Sequence, residues 1–170
     1  MSVQLRDRLS PSLTKLARGI ENKKPILEAM GLQLESLTRR AFNEPALRPM
    51  PWMNKLTISA DGKTFSRSEP SRLRKNQVLV RSIRITSLTN SSVTVGSDRI
   101  QAAIHQLGGI IRPKNAPALA FRIGGHLVTA KKVTMPARPF FPFLGGKMIQ
   151  SAQEKIRLIG EAKIKALTKV

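Results

Sequence analysis

The side chains that usually carry out chemistry in proteins are few and dispersed in this sequence. The chain of 170 residues has no cysteine, 10 acidic residues and two histidines, His105 and His126. Without cysteine there is no thiol nucleophile, disulfide or cysteine-ligated metal, and a zinc or non-haem iron site needs ligands besides the two histidines that the sequence does not obviously supply. No pair of acidic residues stands out as a catalytic pair, and His105, next to apolar Ile104, is better explained as a hydrogen-bonded structural residue. We therefore predict no catalytic residue, no metal and no cofactor, and expect a protein that is not an enzyme.

Three glycine pairs could be mistaken for phosphate-binding loops. They are Gly108-Gly109, Gly124-Gly125 and Gly145-Gly146. None extends to a GxGxxG pattern or to a P-loop with its lysine and hydroxyl residue. We interpret all three as turns.

The strongest compositional feature is a net charge of +20, from 30 basic and 10 acidic residues. Such a charge predicts a negatively charged partner, either nucleic acid or an acidic neighbouring protein, although a merely solvated basic surface explains it equally well. The basic residues lack the interleaved aromatics of single-strand binders, and no helix-turn-helix or zinc-finger pattern is present. Binding to nucleic acid would therefore use phosphate contacts alone. The candidate residues are Arg72, Arg74, Lys75, Lys131 and Lys132.

Three helices are predicted to position these residues. Apolar residues at three- and four-residue steps, with a proline in the first turn, predict a helix over residues 25–42. Ser97-Asp98 is a capping signal for a short helix over residues 99–107, with an apolar face of Ile100, Ala103, Ile104 and Leu107 and a stop at Gly108-Gly109. An amphipathic helix is predicted from about residue 146 to the C-terminus. Residues 1–19 are interrupted by Pro11 and form an expected N-terminal arm, which leaves residues 20–170 as a single domain.

Between the helices the sequence predicts a long loop and two hairpins. Prolines and polar residues over residues 43–76 indicate a long loop in the first half, of the functional or partner-ordered kind. Residues 78–86 and 93–96 read as one hairpin, and residues 119–123 and 126–133 as another. The fold class is therefore α+β, a small antiparallel sheet packed against an N-terminal and a C-terminal helix. No apolar run approaches a membrane span and no signal peptide is evident, so we expect a soluble protein that is not secreted.

Two segments carry a resemblance to a known family. Residues 102–109, Ala-Ala-Ile-His-Gln-Leu-Gly-Gly, and residues 133–140, Val-Thr-Met-Pro-Ala-Arg-Pro-Phe, resemble the two hallmark motifs of the phage virion morphogenesis family, which includes tail-completion proteins. Weaker similarity comes from Pro51-Trp52 and from Arg72-Leu73-Arg74 with Ser82-Ile83. The resemblance covers about residues 27–159. The residues it assigns to the family motifs and to assembly are His105, Gln106, Gly108, Gly109, Pro136, Arg138, Pro139 and Phe140.

The resemblance implies a structural virion protein that acts late in assembly, in tail completion and head–tail joining. It implies a ring of identical subunits at the head-proximal end of the tail, in contact with tail-tube, tail-terminator or head–tail connector proteins. Its location would be the tail or neck of the virion, and the host cytoplasm during assembly. The phage genome in the ring lumen is an alternative partner for the basic surface, whereas neither a membrane nor a small-molecule substrate is implied. Paired glycines allow close backbone approach and prolines fix an extended strap, and Arg138 between two prolines is placed for an ion pair with a carboxylate.

Overall fold

The computed structural model describes residues 14, 17–18, 21–52, 55–60, 63–68, 77–123 and 126–168. Its helices are α1 (Lys24–Arg40), α2 (Val78–Arg81), α3 (Gln101–Leu107) and α4 (Gln150–Thr168). Its strands are β1 (Lys55–Ala60), β2 (Lys63–Ser68), β3 (Ile83–Leu88), β4 (Val93–Ser97), β5 (Gly109–Ile111), β6 (Leu119–Ile123), β7 (His126–Ala130), β8 (Val133–Met135), β9 (Phe143–Leu144) and β10 (Lys147–Met148). The predicted α+β class is confirmed. The predicted arm of residues 1–19 lies almost entirely outside the described residues.

The strands pair in short antiparallel ladders. Among the described residues there are five two-stranded ladders, β1–β2, β3–β4, β5–β8, β6–β7 and β9–β10. Four of these join neighbouring strands of the chain. The β5–β8 ladder instead joins distant segments, with Gly109 opposite Met135 and Ile111 opposite Val133. It brings the ends of the two family-like motifs side by side.

Helix α1 forms the centre of the first hydrophobic cluster. It has a proline in its first turn, as predicted, and contacts both α4 and the β3–β4 hairpin. Leu37 and Ala41 from this helical segment pack with Ala152 and Ile156 of α4. The hairpin comes so close to α1 that a β-carbon on Gly31 would lie 2.5 Å from Val93 Cγ2. Helical periodicity therefore predicted α1 correctly, to within two residues at each end.

A second hydrophobic cluster, rich in aromatic rings, holds the segment after β8. Phe42, Trp52 and Phe140 meet with ring centroids 5.7 Å apart for Phe42–Trp52 and 5.1 Å for Phe42–Phe140. Leu79 and Ile83 complete the cluster. The indole Nε1 of Trp52 donates a hydrogen bond of 2.8 Å to the carbonyl of Pro139, so the only tryptophan is both buried and hydrogen-bonded. This cluster fixes residues 139–140 to the body of the domain.

The predicted loop of residues 43–76 contains regular structure. A 3-10 turn spans Pro45–Leu47, and β1 and β2 form a hairpin in which Ile58 is opposite Phe65. The sequence between the two strands is Asp61-Gly62, a pair that two-residue hairpin loops favour. The four prolines elsewhere in the segment favoured the prediction of a loop over that of a hairpin.

Two predicted strands have different bounds in the structure. Residues 78–81 form the helical turn α2 instead of the start of a strand, because Leu79 and Ile83, four residues apart, reach the same core cluster through one turn of helix. The predicted strand of residues 126–133 is split into β7 and β8, which pair with β6 and β5 respectively. The C-terminal helix begins at Gln150, after the small β9–β10 hairpin whose turn contains Gly145 and Gly146, both with positive φ.

Candidate functional site

Helix α3 presents to the core a different face from the one that its apolar pattern predicts. Ile100, just before the helix, is 96% exposed and Leu107 is 77% exposed, whereas Ala102, His105 and Gln106 are partly buried. Of the predicted apolar face only Ile104 is partly buried, and the other three side chains are exposed. Ser97-Asp98 does not cap the helix, because the residue preceding it is Ile100 and makes no side-chain capping bond. Gln106 faces inward, where its amide oxygen accepts hydrogen bonds from the backbone of residues 140 and 141.

Gln106 is hydrogen-bonded to the backbone of the strap, by which we mean residues 136–143. Its Oε1 atom accepts hydrogen bonds of 3.0 Å from the N–H groups of both Phe140 and Phe141. The carbonyl of His105 accepts a third hydrogen bond of 2.6 Å from the N–H of Arg138. A proline-rich segment cannot pair its backbone N–H groups in a regular β-ladder. Acceptor oxygens on α3 bind the N–H groups of the strap instead. The two motifs thus form one hydrogen-bonded unit, which we call the motif junction.

Gly108 allows the backbones of the two motifs to approach each other. Its φ of +70° and ψ of −175° lie in a region that is essentially restricted to glycine. A β-carbon at this position would lie 2.7 Å from the N atom of Ala137 and 3.0 Å from the carbonyl oxygen of Met135. Gly109, with a φ of +144°, then begins β5. The glycine pair ends α3, and its first member makes room for the strap.

The remaining motif residues lie on the buried side of the junction. Pro139 and Phe140 are buried, Pro136 is partly buried, and the guanidinium-bearing Arg138 is only 4% exposed. Partial burial and, second, the positive charge of Arg138 lower the pKa of His105 below its usual value. His105 is therefore held as neutral imidazole at pH 7. The ion pair of Arg138 with a carboxylate stays a prediction.

The surface around the motif junction is apolar and open to solvent. A groove of about 540 Å³ runs along it, lined by Met50, Val95, Gln106, Leu107, Ala137, Pro139, Phe141, Phe143, Leu144, Gly145 and Gly146. Ile100, Leu107, Ile110 and Leu144 are each more than half exposed. Leu107 and Leu144 line the groove, and we call the groove with these two side chains the apolar face. Ile100 and Leu107 are the signal in the sequence for exposed apolar surface here. Their spacing places them on the apolar side of a helix, but neither side chain joins the core.

The strap phenylalanines divide between the core and this face. Phe140 is fully buried in the aromatic cluster, whereas Phe141 and Phe143 are partly buried and line the groove. Phe140 therefore covers the domain's own core, whereas Phe141 and Phe143 also contribute apolar surface to the groove.

Two of the five residues predicted to contact phosphate lie in the described part of the chain. Lys131 and Lys132 are exposed at the turn between β7 and β8. Arg72, Arg74 and Lys75 lie outside the described residues. Their role stays a prediction.

Neither a metal centre nor a membrane-crossing helix is found in the part of the chain that the structure describes. No group of three or more His, Asp or Glu residues is arranged to hold a metal ion there. None of the helices in these ranges combines the length and the apolar character needed to cross a membrane. Hydrogen bonds and close packing hold the motif junction together.

Comparison with known proteins gives one match, and it covers most of the chain. The sequence profile of the phage virion morphogenesis family matches residues 5–163, which include both motifs and the whole junction. No curated protein and no solved structure matches the chain.

Proposed function

Because the chain belongs to the phage virion morphogenesis family, we propose that it is a non-enzymatic structural protein that completes the phage tail and joins it to the head. In this proposal, identical subunits form a closed ring at the head-proximal end of the tail. The subunits are built in the host cytoplasm and become part of the tail or neck of the virion. Family membership supports the role in virion morphogenesis, and the finer assignment is our own.

The observation that carries the proposal is the apolar face. Leu107 and Leu144 are 77% and 53% exposed, and the groove that they line has aromatic walls. Large contiguous apolar patches on a soluble chain mark interaction surfaces, since isolated domains bury such side chains where they can. A chain with a net charge of +20 has ample polar side chains for its surface. Its retention of large apolar side chains along this groove supports a protein partner.

The rigidity of the motif junction supports a ring in particular. A closed ring uses one head-to-tail contact repeated at a fixed angle, so each subunit must present its contact surface in a fixed orientation. Three hydrogen bonds and a close backbone contact fasten the strap to α3, and the aromatic cluster anchors the strap to the body. Leu107 of α3 and Phe143 of the strap both line the groove and are thereby held close to each other. The partners in the proposal are a second copy of the chain and the adjoining tail-tube, tail-terminator or head–tail connector proteins.

Electron microscopy of particles made without this protein tests the proposed role. We expect full heads and unjoined or unfinished tails, and rescue by the wild-type protein with ring-shaped density at the head-proximal end of the tail. Normal joined particles in its absence would contradict the proposal. Density at the baseplate or in the head shell of rescued particles would contradict the proposed location.

A second candidate function is sequence-independent contact with DNA through the basic surface. The observation that favours it is the net charge of +20, which tail completion does not by itself require. A ring around the path of the genome would have reason to present basic side chains to its lumen. Such binding falls steeply with salt, so a flat dependence of affinity between low and moderate salt would exclude it.

A further inference from the structure

A small pocket lies where α2, the start of β3 and the end of β4 meet. Its volume is about 240 Å³, several times the roughly 30 Å³ that one water molecule occupies in the liquid. It is lined by Val78, Arg81, Ser82, Arg84, Asp98 and Arg99. Three arginines and one aspartate give the pocket a net charge of +2. None of these residues belongs to the motif junction.

Buried hydroxyl groups fix the segments that carry the arginines. Ser82, which is buried, donates a hydrogen bond of 2.7 Å from Oγ to the carbonyl of Leu79. Its Oγ is also 2.7 Å from Ser97 Oγ, and Ser97 must donate there because the Ser82 proton is already used. Ser97 Oγ in turn accepts the N–H of Arg99 at 3.2 Å. These hydrogen bonds connect the end of α2, the end of β4 and Arg99, the second residue after β4.

Asp98 orients two of the arginines. Its Oδ2 is 3.2 Å from Arg84 Nη2, and its Oδ1 is 3.4 Å from Arg99 Nε. One carboxylate thus holds two guanidinium groups on the same rim, while Arg81 from α2 lines the same pocket. Ion pairs this exposed contribute about 0–1 kcal/mol, so the guanidinium groups can rotate toward a stronger anion without a large loss. Each guanidinium has five N–H donors, more than a single aspartate can accept.

We propose that this arginine pocket binds a phosphate group of a nucleic-acid backbone. The planar guanidinium fork matches the oxygens of a phosphate, and three such groups around a pocket of this size suit one tetrahedral anion. Because the chain as a whole carries +20, a polyanion is drawn to it along its whole length, and the pocket supplies a fixed point of contact. The proposal rests on the second candidate function and is independent of ring formation.

The test measures how binding to a duplex of mixed sequence depends on salt, by fluorescence anisotropy of a labelled DNA. The pocket variant carries Arg81→Gln, Arg84→Gln and Arg99→Gln. The pocket holds one phosphate, and each lost phosphate contact reduces the slope of log K against log salt by about 0.9, so the pocket variant should have a slope about 0.9 smaller than the wild type. Between 50 and 200 mM salt its affinity should therefore fall about 3.5-fold less than that of the wild type.

A matched control removes the same charge elsewhere. Lys155→Gln, Arg157→Gln and Lys163→Gln together neutralise three exposed basic residues on α4. We expect this control variant to retain the slope of the wild type, since it leaves the arginine pocket intact. Circular dichroism at the assay temperature establishes that both variants are folded. If the triple pocket variant is not folded, the single variant Arg99→Gln replaces it and should change the slope in the same direction.

Two results would overturn the inference. Equal slopes for the pocket variant and the α4 control on DNA would show that the arginines act only as general charge. Loss of binding to polyglutamate in the pocket variant, with DNA binding unchanged, would assign the pocket to an acidic protein instead. Light scattering on the same samples separates these results from a failure of the ring proposal, because the pocket variant should retain the oligomeric state of the wild type.

Discussion

Replacement of Gln106 by alanine tests the hydrogen bonds that join the two motifs. The substitution removes the single Oε1 atom that accepts the N–H groups of Phe140 and Phe141 at 3.0 Å each. A buried donor that loses its acceptor costs about 1–3 kcal/mol. Because Phe141 is only partly buried and water can reach part of this site, we expect the lower half of the summed range, a loss of about 2–4 kcal/mol in the free energy of unfolding.

Two further substitutions separate the hydrogen bonds from other effects. Gln106→Glu keeps an oxygen acceptor for both N–H groups at pH 7, so it should destabilise the protein by less than half as much as Gln106→Ala. Gln101→Ala makes the same truncation at an exposed position of the same helix, where surface substitutions usually change stability by no more than about 0.5 kcal/mol. All three variants can be compared with the wild type by urea unfolding at pH 7, followed by circular dichroism.

The reasoning would be refuted by either of two outcomes. One is a loss of less than about 1 kcal/mol for Gln106→Ala, which would mean that the strap is held by packing alone. The other is equal destabilisation by Gln106→Ala and Gln106→Glu. That result would show that the acceptor oxygen does not stabilise the junction, because glutamate keeps the shape and the oxygen of glutamine and loses only the amide N–H groups, which face the carbonyl of Phe141.

Two other predictions concern neighbouring residues. Gly108→Ala should destabilise the protein by at least about 1 kcal/mol more than Gly145→Ala, because both glycines have positive φ but only at Gly108 would the β-carbon meet backbone atoms, at 2.7 and 3.0 Å. Equal losses in urea unfolding would remove the close approach as the reason for a glycine at position 108. His105 has a pKa that burial and Arg138 hold below its unfolded value, so the unfolded chain takes up a proton first, and stability falls as pH drops through about 6.5 toward the lower folded pKa. Thermal melts at pH 7.5 and 5.5 should show a larger drop for the wild type than for His105→Gln, and equal drops would contradict the assigned direction of the shift.

The parts of the fold that local sequence patterns determine could be predicted. α1 and α4 each carry an apolar stripe with a period near 3.6, and one face of each helix is buried in the same cluster. The sequence period therefore predicted which face of each helix is buried. The stop of α3 at Gly108 also followed from residue type, since a glycine at this position permits a positive φ. The hairpin β1–β2 could have been found from the Asp61-Gly62 pair, but nearby prolines weighed against it.

The arrangement of the motif junction could not be read from local patterns. Gln106 accepts hydrogen bonds from backbone N–H groups that lie 34 and 35 residues further along the chain. Nothing in the sequence of the seven-residue helix α3 indicates that its polar side faces inward. Periodicity placed Ile100 and Leu107 on one apolar helix face but does not show whether such a face is buried, and both side chains are exposed. Sequence patterns also did not group Arg81, Arg84 and Arg99, because the folding of α2 beside the β3–β4 hairpin brings them to one pocket.

The central claim is that the apolar face around the motif junction joins copies of this chain. Light scattering coupled to size-exclusion chromatography measures this directly, on the purified protein alone and with tail tubes added. The account predicts a wild-type mass that is a multiple of 18.8 kDa, a monomer for Leu107→Glu, and a wild-type mass for Leu158→Glu, which alters an exposed leucine on α4 away from the junction. A wild-type protein that stays monomeric at high concentration and in the presence of tail tubes, or a Leu107→Glu variant that assembles as the wild type does, would contradict it.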